Sequence, residues 1–139
     1  MIINSSSDSL QASQRQNQIF FYIFAVLFNL CLIAQVLTVG LAYFYNSEWW
    51  NVHVWLVRGY SGLSLILLVG AYGIPFPPKV RSLAVSLPVL LGLQFVTIHL
   101  KFTLPLGILH PLIGFALFSA STSLVHRLWQ IIKPSVDKE

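Results

Sequence analysis

The stretch QIFFYIFAVLFNLCLIAQVLTVGLAYFY, residues 18–45, contains no charged side chain. A helix needs about 20 apolar residues to cross the hydrocarbon core of a bilayer, so this stretch predicts a membrane-spanning segment. Three further apolar stretches, at about 52–75, 82–103 and 105–132, are also long enough. Lipid offers no hydrogen-bond partners to the backbone, and the apolar runs do not alternate with polar residues as the strands of a membrane barrel do. All four segments are therefore predicted to be helices.

The composition of the whole chain also indicates a membrane protein. Hydrophobic residues make up 56% of the 139 residues and charged residues 9%, which is too apolar for a soluble domain of this size. The links between the spans are short, so consecutive helices should be antiparallel neighbours. The sequence predicts an all-α fold, an up-down-up-down bundle of four transmembrane helices, and shows no convincing internal repeat.

The predicted transmembrane domain covers residues 18–132. The segment 1–17 is rich in Ser, Gln and Asn and has little to bury, which predicts a disordered cytoplasmic tail, and 133–139 is expected to form a second one. The first span is too long for the apolar part of a secretion signal, and no small-residue cleavage site follows it. We therefore expect it to remain attached.

Lysine and arginine are distributed unevenly over the segments between the spans. If both termini are cytoplasmic, six of the eight basic residues lie inside, and only Arg58 and Lys101 lie near the outer face. The positive-inside rule therefore predicts cytoplasmic termini, in a multi-pass protein of a bacterial inner membrane or a thylakoid. Because the charges are scattered over three segments, they favour the lipid bilayer as partner and not a nucleic acid.

Three of the four histidines are predicted to lie at one end of the bundle. His53 begins the second span, His99 ends the third and His110 opens the fourth, whereas His126 lies at the other end. Helices two and four stand diagonally opposite in such a bundle, so their inward side chains approach one point in the core. His53 and His110 are therefore candidate metal ligands, and a haem is the candidate cofactor.

Four further residues complete the candidate cofactor site. Arg58 lies about 7 Å of helix rise deeper than His53, and it must extend outward, pair with an acidic group or contact a haem propionate. Tyr60 shares a helix stripe with His53, and Gln94 is an amide within a span, which usually faces the interior. Gly114, one turn after the fourth-span histidine, leaves room for a flat macrocycle.

Each of these residues also has an ordinary structural explanation. A histidine near a helix end is compatible with a place among lipid head groups, and His99, about 140° around its helix from Gln94, is not expected to share the inner face. Small residues such as Gly114 let membrane helices approach closely without a cofactor. His126, beside a basic and an aromatic residue, is typical of an interfacial anchor.

Three short motifs occur along the chain in the order W..H, LQ and LHP. They are Trp50 with His53, Leu93 with Gln94, and Leu109 with His110 and Pro111. On these motifs the chain resembles an uncharacterised family of small bacterial four-helix membrane proteins, over about residues 18–130. It is also distantly similar to b-type membrane cytochromes and to halves of haem A synthase, in which histidines near helix ends ligate haem. That similarity implies haem b as the cofactor, although GYSGLSL in the second span departs from those proteins by lacking a second inward histidine.

Two classes of function fit these residues. The first is a redox protein that binds haem b and exchanges electrons with a quinone or a larger membrane complex. The second is a non-catalytic accessory or assembly subunit of such a complex, without a cofactor. A transporter is less favoured because charge within the spans is nearly absent. Hydrolysis and phosphoryl transfer have no support, since the four carboxylates all lie outside the spans and there is no phosphate loop, so no catalytic residue is assigned.

Overall fold

A computed structural model describes residues 3–100 and 105–133, with side chains described from Ser9 onward. This part of the chain forms four helices, which are α1 (Ile3–Phe44), α2 (Trp49–Gly73), α3 (Pro78–His99) and α4 (Leu109–Ile132), and a single 3-10 turn precedes α4. All four helices are long and apolar enough to cross a membrane. The predicted all-α fold with four transmembrane helices is confirmed.

Short turns separate α1 from α2 and α2 from α3. In the link between α1 and α2, the Asn46 Oδ1 accepts a hydrogen bond from the Glu48 backbone N–H at 2.9 Å. Helix α2 ends at Gly73, and Pro78 stands at the start of α3, where its missing N–H leaves no helical carbonyl unpaired. Consecutive helices pack against each other and run antiparallel.

Helix α1 begins at Ile3, inside the segment 1–17 that the composition predicts to be a disordered tail. No Gly or Pro interrupts the chain between Ile3 and the first span. The helix of the span therefore continues toward the N terminus at little cost, because lengthening an existing helix avoids nucleation. The predicted tail at 133–139 lies outside the described residues except for Lys133, and so does Lys101.

The four helices pack as a square. Helices α1 and α3 each contact both α2 and α4, whereas no described residue of α2 has its Cα atom within 8 Å of one in α4, nor one of α1 within 8 Å of α3. Helices α2 and α4 thus lie on a diagonal. They begin at the same end of the bundle, which we call the histidine end, and the end that carries the start of α1 we call the tail end.

The buried residues repeat between the two halves of the chain. Those of α3 follow those of α1 at a constant separation of 59 positions, as Phe21 and Val80, Ala25 and Ala84, Phe28 and Leu87, Leu32 and Leu91, Thr38 and Thr97. Those of α4 follow those of α2 at 57 positions, as Tyr60 and Leu117, Ser64 and Ser121, Leu67 and Leu124, Ala71 and Leu128. The α1–α2 and α3–α4 hairpins therefore form an internal repeat, and the expectation from the sequence that there is none was wrong.

The outer surface of the bundle is apolar. Large hydrophobic side chains are exposed along all four helices, among them Val36, Val69, Val89 and Leu112. Such a surface suits contact with lipid tails and not with water. The protein is an integral, multi-pass membrane protein by these criteria.

Candidate functional site

The histidine end contains two clusters of the same three residue types, one in each hairpin. The first histidine cluster consists of Gln35 and Thr38 on α1 and His53 on α2. The second consists of Gln94 and Thr97 on α3 and His110 on α4. The positions correspond in the internal repeat, since each pair of α1 and α3 residues is separated by 59 positions and the histidines by 57.

In the first histidine cluster, both ring nitrogens of His53 have partners on α1. The Gln35 Nε2 lies 2.9 Å from His53 Nε2 and also donates to the His53 backbone carbonyl at 3.1 Å. The His53 Nδ1 lies 3.2 Å from the Thr38 hydroxyl and 3.3 Å from the Gln35 backbone carbonyl. The cluster therefore ties the start of α2 to α1 at three points.

These bonds determine which nitrogen of His53 carries the proton. The atom that faces the His53 carbonyl must be the amide nitrogen of Gln35, because a carbonyl only accepts, and this nitrogen then donates to His53 Nε2 as well. Thr38 donates its own hydrogen to the Gln35 carbonyl at 2.7 Å, so its oxygen accepts from His53. The proton consequently sits on Nδ1, and Nε2 carries the lone pair.

The second histidine cluster holds its ring in the same way. Thr97 donates to the Gln94 backbone carbonyl at 2.8 Å, and its oxygen lies 3.2 Å from His110 Nδ1. By the same reasoning, His110 carries its proton on Nδ1 and its lone pair on Nε2.

The two clusters differ at the glutamine amide. The Gln94 Nε2 lies 2.9 Å from the point where a Cβ atom would stand on Gly114, so the amide has turned into the space that this glycine leaves. The position four residues after His53, which corresponds to Gly114, is Val57. As a result, His53 Nε2 accepts a bond from Gln35, whereas no described residue donates to His110 Nε2.

Both clusters leave one buried acceptor without a donor. The Oε1 atoms of Gln35 and Gln94 are buried and have no hydrogen-bond partner among the described residues. An unpaired buried amide oxygen costs about 1–3 kcal/mol. The same unpaired atom at two equivalent positions indicates that this end of the bundle is polar enough for a further group.

The remaining predicted site residues fall into two places. Tyr60 is buried in the core and packs edge-on against Phe28, with ring centroids 5.5 Å apart. Arg58 is exposed, and its guanidinium lies 5.7 Å from the centroid of the Trp55 ring, which is itself exposed. The structure thus brings His53, His110, Gln94 and Gly114 to the histidine end of the core and leaves Arg58 on the outer surface.

The other two histidines lie outside the core. The ring of His99 is exposed and bonds through Nδ1 to the Phe95 carbonyl of its own helix at 2.8 Å, so it does not share the inner face with Gln94. His126 is exposed at the tail end and bonds to Gln130 at 3.0 Å. Among the described residues no group of three or more His, Cys, Asp or Glu side chains is placed to hold a metal ion.

Sequence analysis missed Thr38 and Thr97. Their signal was present, because each threonine follows a glutamine by three residues in a span, and a histidine opens the next helix. The glutamines drew attention as intramembrane amides, but a threonine in a span is common and bonds its own helix. Only the pairing of the two Gln-x-x-Thr segments would have revealed the repeat.

The fold and the two clusters define a small four-helix integral membrane protein. A protein family described as a family of unknown function (DUF6220) matches residues 35–100, just under half of the chain. The matched region begins at Gln35 and contains the first histidine cluster and Gln94 and Thr97 of the second, but not His110. This similarity is consistent with an uncharacterised family. No curated protein and no solved structure matches the chain significantly.

Proposed function

We propose that this protein binds haem b at the histidine end of the bundle, with His53 and His110 as the axial ligands of the iron. The observation that supports the proposal most is the shared tautomer, which leaves the lone pair on Nε2 of each ring. Neutral imidazole is a usual axial donor to haem iron. Ligating histidines commonly donate their other N–H to a fixed oxygen, as both rings do here.

The donor set fits this cofactor. The two histidines lie on the diagonal helices α2 and α4, at the same end of the bundle. Two axial nitrogens suffice for haem iron, because the porphyrin supplies the other ligands. The distant similarity to b-type membrane cytochromes and haem A synthase halves agrees with this assignment but rests on short motifs.

The glutamine amides occupy part of the space that the cofactor needs. The Gln35 amide lies against His53 Nε2, and the Gln94 amide fills the gap beside Gly114. Both groups are the ends of flexible side chains, so rotation about their side-chain bonds can move them. We therefore expect binding to require that both amides turn away from their present positions.

Haem b when bound would supply a one-electron couple within the membrane. The protein's own residues would bind it and hold the two imidazoles in the required tautomer. A quinone or a larger membrane complex is the expected partner for electron exchange. Thr38 and Thr97 act as positioning residues in this proposal, because each fixes the orientation of one ring.

The visible absorption spectrum of the full chain, purified in mild detergent after expression with ample haem, tests the proposal. We expect a Soret band and a sharp reduced α-band, and we expect His53→Ala or His110→Ala to abolish the low-spin spectrum. His99→Ala is the matched control, because this histidine is exposed at the same end, and it should leave the spectrum unchanged. A colourless protein, or a spectrum that both alanine variants retain, would overturn the ligand assignment.

A second candidate is the accessory or assembly role. It is favoured by the first histidine cluster, in which His53 is fully bonded without any ligand, so that the cluster serves to lock α1 to α2. In that case the chain stays colourless, and His53→Ala lowers thermal stability although no cofactor is lost. A protein that stays colourless with ample haem and whose thermal stability falls in His53→Ala but not in His99→Ala would support this role over the first.

The proposed orientation places both termini in the cytoplasm, as the lysine and arginine distribution favours. In a Cys31→Ala background, a Ser47→Cys variant should react with a membrane-impermeant thiol reagent added to intact cells, whereas Lys79→Cys should react only after the membrane is opened. Both positions are exposed at opposite ends of the bundle. The reverse labelling pattern would show the opposite orientation.

A further inference from the structure

A cleft of about 310 Å³ lies at the tail end, between α1 and α4, and is separate from the histidine clusters. Two basic side chains line it from different helices, Arg15 on α1 and Lys133 at the end of α4. Among the residues that the structure describes, none that lines the cleft is acidic. We propose that this cleft binds a phosphate group, with the head group of an anionic phospholipid as its source.

The position of the cleft fits the boundary between head groups and lipid tails. The charge-free part of α1 begins directly after Arg15, and the candidate membrane span of α4 ends at Ile132, directly before Lys133. Arg15 therefore stands where the charge-free part of α1 begins, and Lys133 where the span of α4 ends. A membrane that covers the apolar surface of the bundle brings its phosphates to the same level.

The lining of the cleft has a polar and an apolar part. Three amide side chains, Gln11, Gln14 and Gln18, lie one turn or less from Arg15 along α1 and can donate to phosphate oxygens. On the side of α4, the half-buried Ile131 and Ile132 provide an apolar wall. Charge and amide donors above an apolar wall suit a phospholipid, because its phosphate and its acyl chains then have separate partners.

The charge pair makes the cleft selective for anions. A basic residue near an anionic membrane surface contributes about 1 kcal/mol of attraction, and basic pockets between transmembrane helices are recognised sites for lipid head groups. Arginine also offers two parallel N–H donors that match a phosphate. A zwitterionic lipid carries the same phosphate but adds a cation, which Arg15 and Lys133 would repel.

The test measures which lipids remain bound to the full chain. The protein is reconstituted in mixed phosphatidylglycerol and phosphatidylcholine bilayers, extracted gently, and the ratio of the two bound lipids is determined by native mass spectrometry. The wild type should retain phosphatidylglycerol preferentially. In the double variant Arg15→Gln with Lys133→Gln, this preference should fall by roughly 30-fold.

A matched double variant controls for overall charge. Lys79→Gln with Arg127→Gln removes the same charge from exposed positions at the same end of the bundle but outside the cleft. It should change the preference by less than about threefold, because scattered surface charges are screened. An equal fall in both double variants, or no preference in the wild type, would overturn the proposal.

Inorganic phosphate distinguishes the two sources of the ligand. If the cleft recognises the lipid as a whole, added phosphate should not displace phosphatidylglycerol, because the apolar wall holds the acyl chains. If phosphate at millimolar concentration displaces the lipid from the wild type and binds less tightly to the double variant, the phosphate site stands and its natural occupant is the free anion. Displacement that is the same in wild type and double variant would place the phosphate elsewhere and count against the cleft.

Discussion

The two hairpins of this protein place glutamine, threonine and histidine at equivalent positions, yet they use the glutamine differently. In the α1–α2 hairpin the amide of Gln35 donates to His53, whereas in the α3–α4 hairpin the amide of Gln94 turns toward Gly114. The position that corresponds to Gly114 carries the branched side chain of Val57. The two hairpins thus differ both at this position and in whether the glutamine amide bonds the histidine ring.

The difference indicates in which order the two histidines become available to a ligand. No described residue donates to the Nε2 lone pair of His110. A metal ion or a hydrogen-bond donor can therefore bind this nitrogen before it binds His53. His53 becomes available only when its Gln35 bond breaks. If a ligand binds between the two rings, it should therefore attach to His110 first. Binding to His53 then requires the hydrogen bond from Gln35 to break.

The largest expected effects concern the repeated core. Leu67 and Leu124 are equivalent and fully buried, so Leu67→Ala and Leu124→Ala should each lower the free energy of unfolding in detergent by about 2–5 kcal/mol. The two losses should be similar, because both residues fill the same place in the repeat. Leu112→Ala, at an exposed position, should have little effect. Losses that differ by more than about 2 kcal/mol would show that the halves do not pack alike.

The next largest effect distinguishes two glycines. A Cβ on Gly70 would stand 2.9 Å from Cδ2 of the buried Phe21 ring, which also packs against Phe76 at 4.8 Å. Gly70→Ala should therefore cost about 1–3 kcal/mol in thermal or denaturant unfolding, since the ring cannot move away freely. Gly114→Ala should cost less than about 1 kcal/mol, because the end of a flexible side chain can give way. Gly62→Ala, which meets nothing within 4 Å, is the control for helix propensity.

A smaller effect is expected when each glutamine amide is removed. Gln35→Leu leaves His53 Nε2 and the His53 carbonyl without their donor, so the free energy of unfolding should fall by about 1–2 kcal/mol. Gln94→Leu removes a buried oxygen that already lacks a partner, so we expect no loss, and a gain of up to about 1–3 kcal/mol in the free energy of unfolding. Equal losses in the two variants would mean that the two amides have equivalent bonding after all.

The smallest effect is a change in local bonding. In the haem-free protein, nitrogen chemical shifts of the two rings should differ, because His53 Nε2 accepts a bond and His110 Nε2 does not. Gly114→Ala fills the space that holds the Gln94 amide and should move the shift of His110 Nε2 toward that of His53. Unchanged shifts in this variant would place the Gln94 amide elsewhere.

The fold could be predicted from the sequence because it depends on the length and the summed hydrophobicity of each segment. Four long apolar runs with short links leave few arrangements other than an antiparallel helical bundle, and the helix limits lie within four residues of the predicted spans except at the start of α1, which begins at Ile3. The placement of His53 and His110 on diagonal helices at one end also followed from their positions in the spans. Their role as haem ligands stays a prediction.

The candidate site was only partly predictable. Gln94 and Gly114 were correctly placed near the histidines, but Gly114 was expected to leave open room, and the Gln94 amide lies there instead. Arg58 was given several partners, and it extends outward over Trp55. The Gln94 amide lies against a residue of another helix and the Arg58 guanidinium against a residue of its own helix, and the sequence does not show which neighbours come within reach.

The sequence by itself determined that this chain crosses a membrane four times, because burial in lipid is decided by the hydrophobicity of each segment and by the need to pair its backbone. Only the tertiary structure decided that the chain is built from two equivalent hairpins and that their histidines share one tautomer. Five of the nine buried pairs are identical in the two halves, too few to detect among apolar residues. Hydrogen bonds, in contrast, depend on distances of about 3 Å between helices, which are fixed only when the bundle is packed.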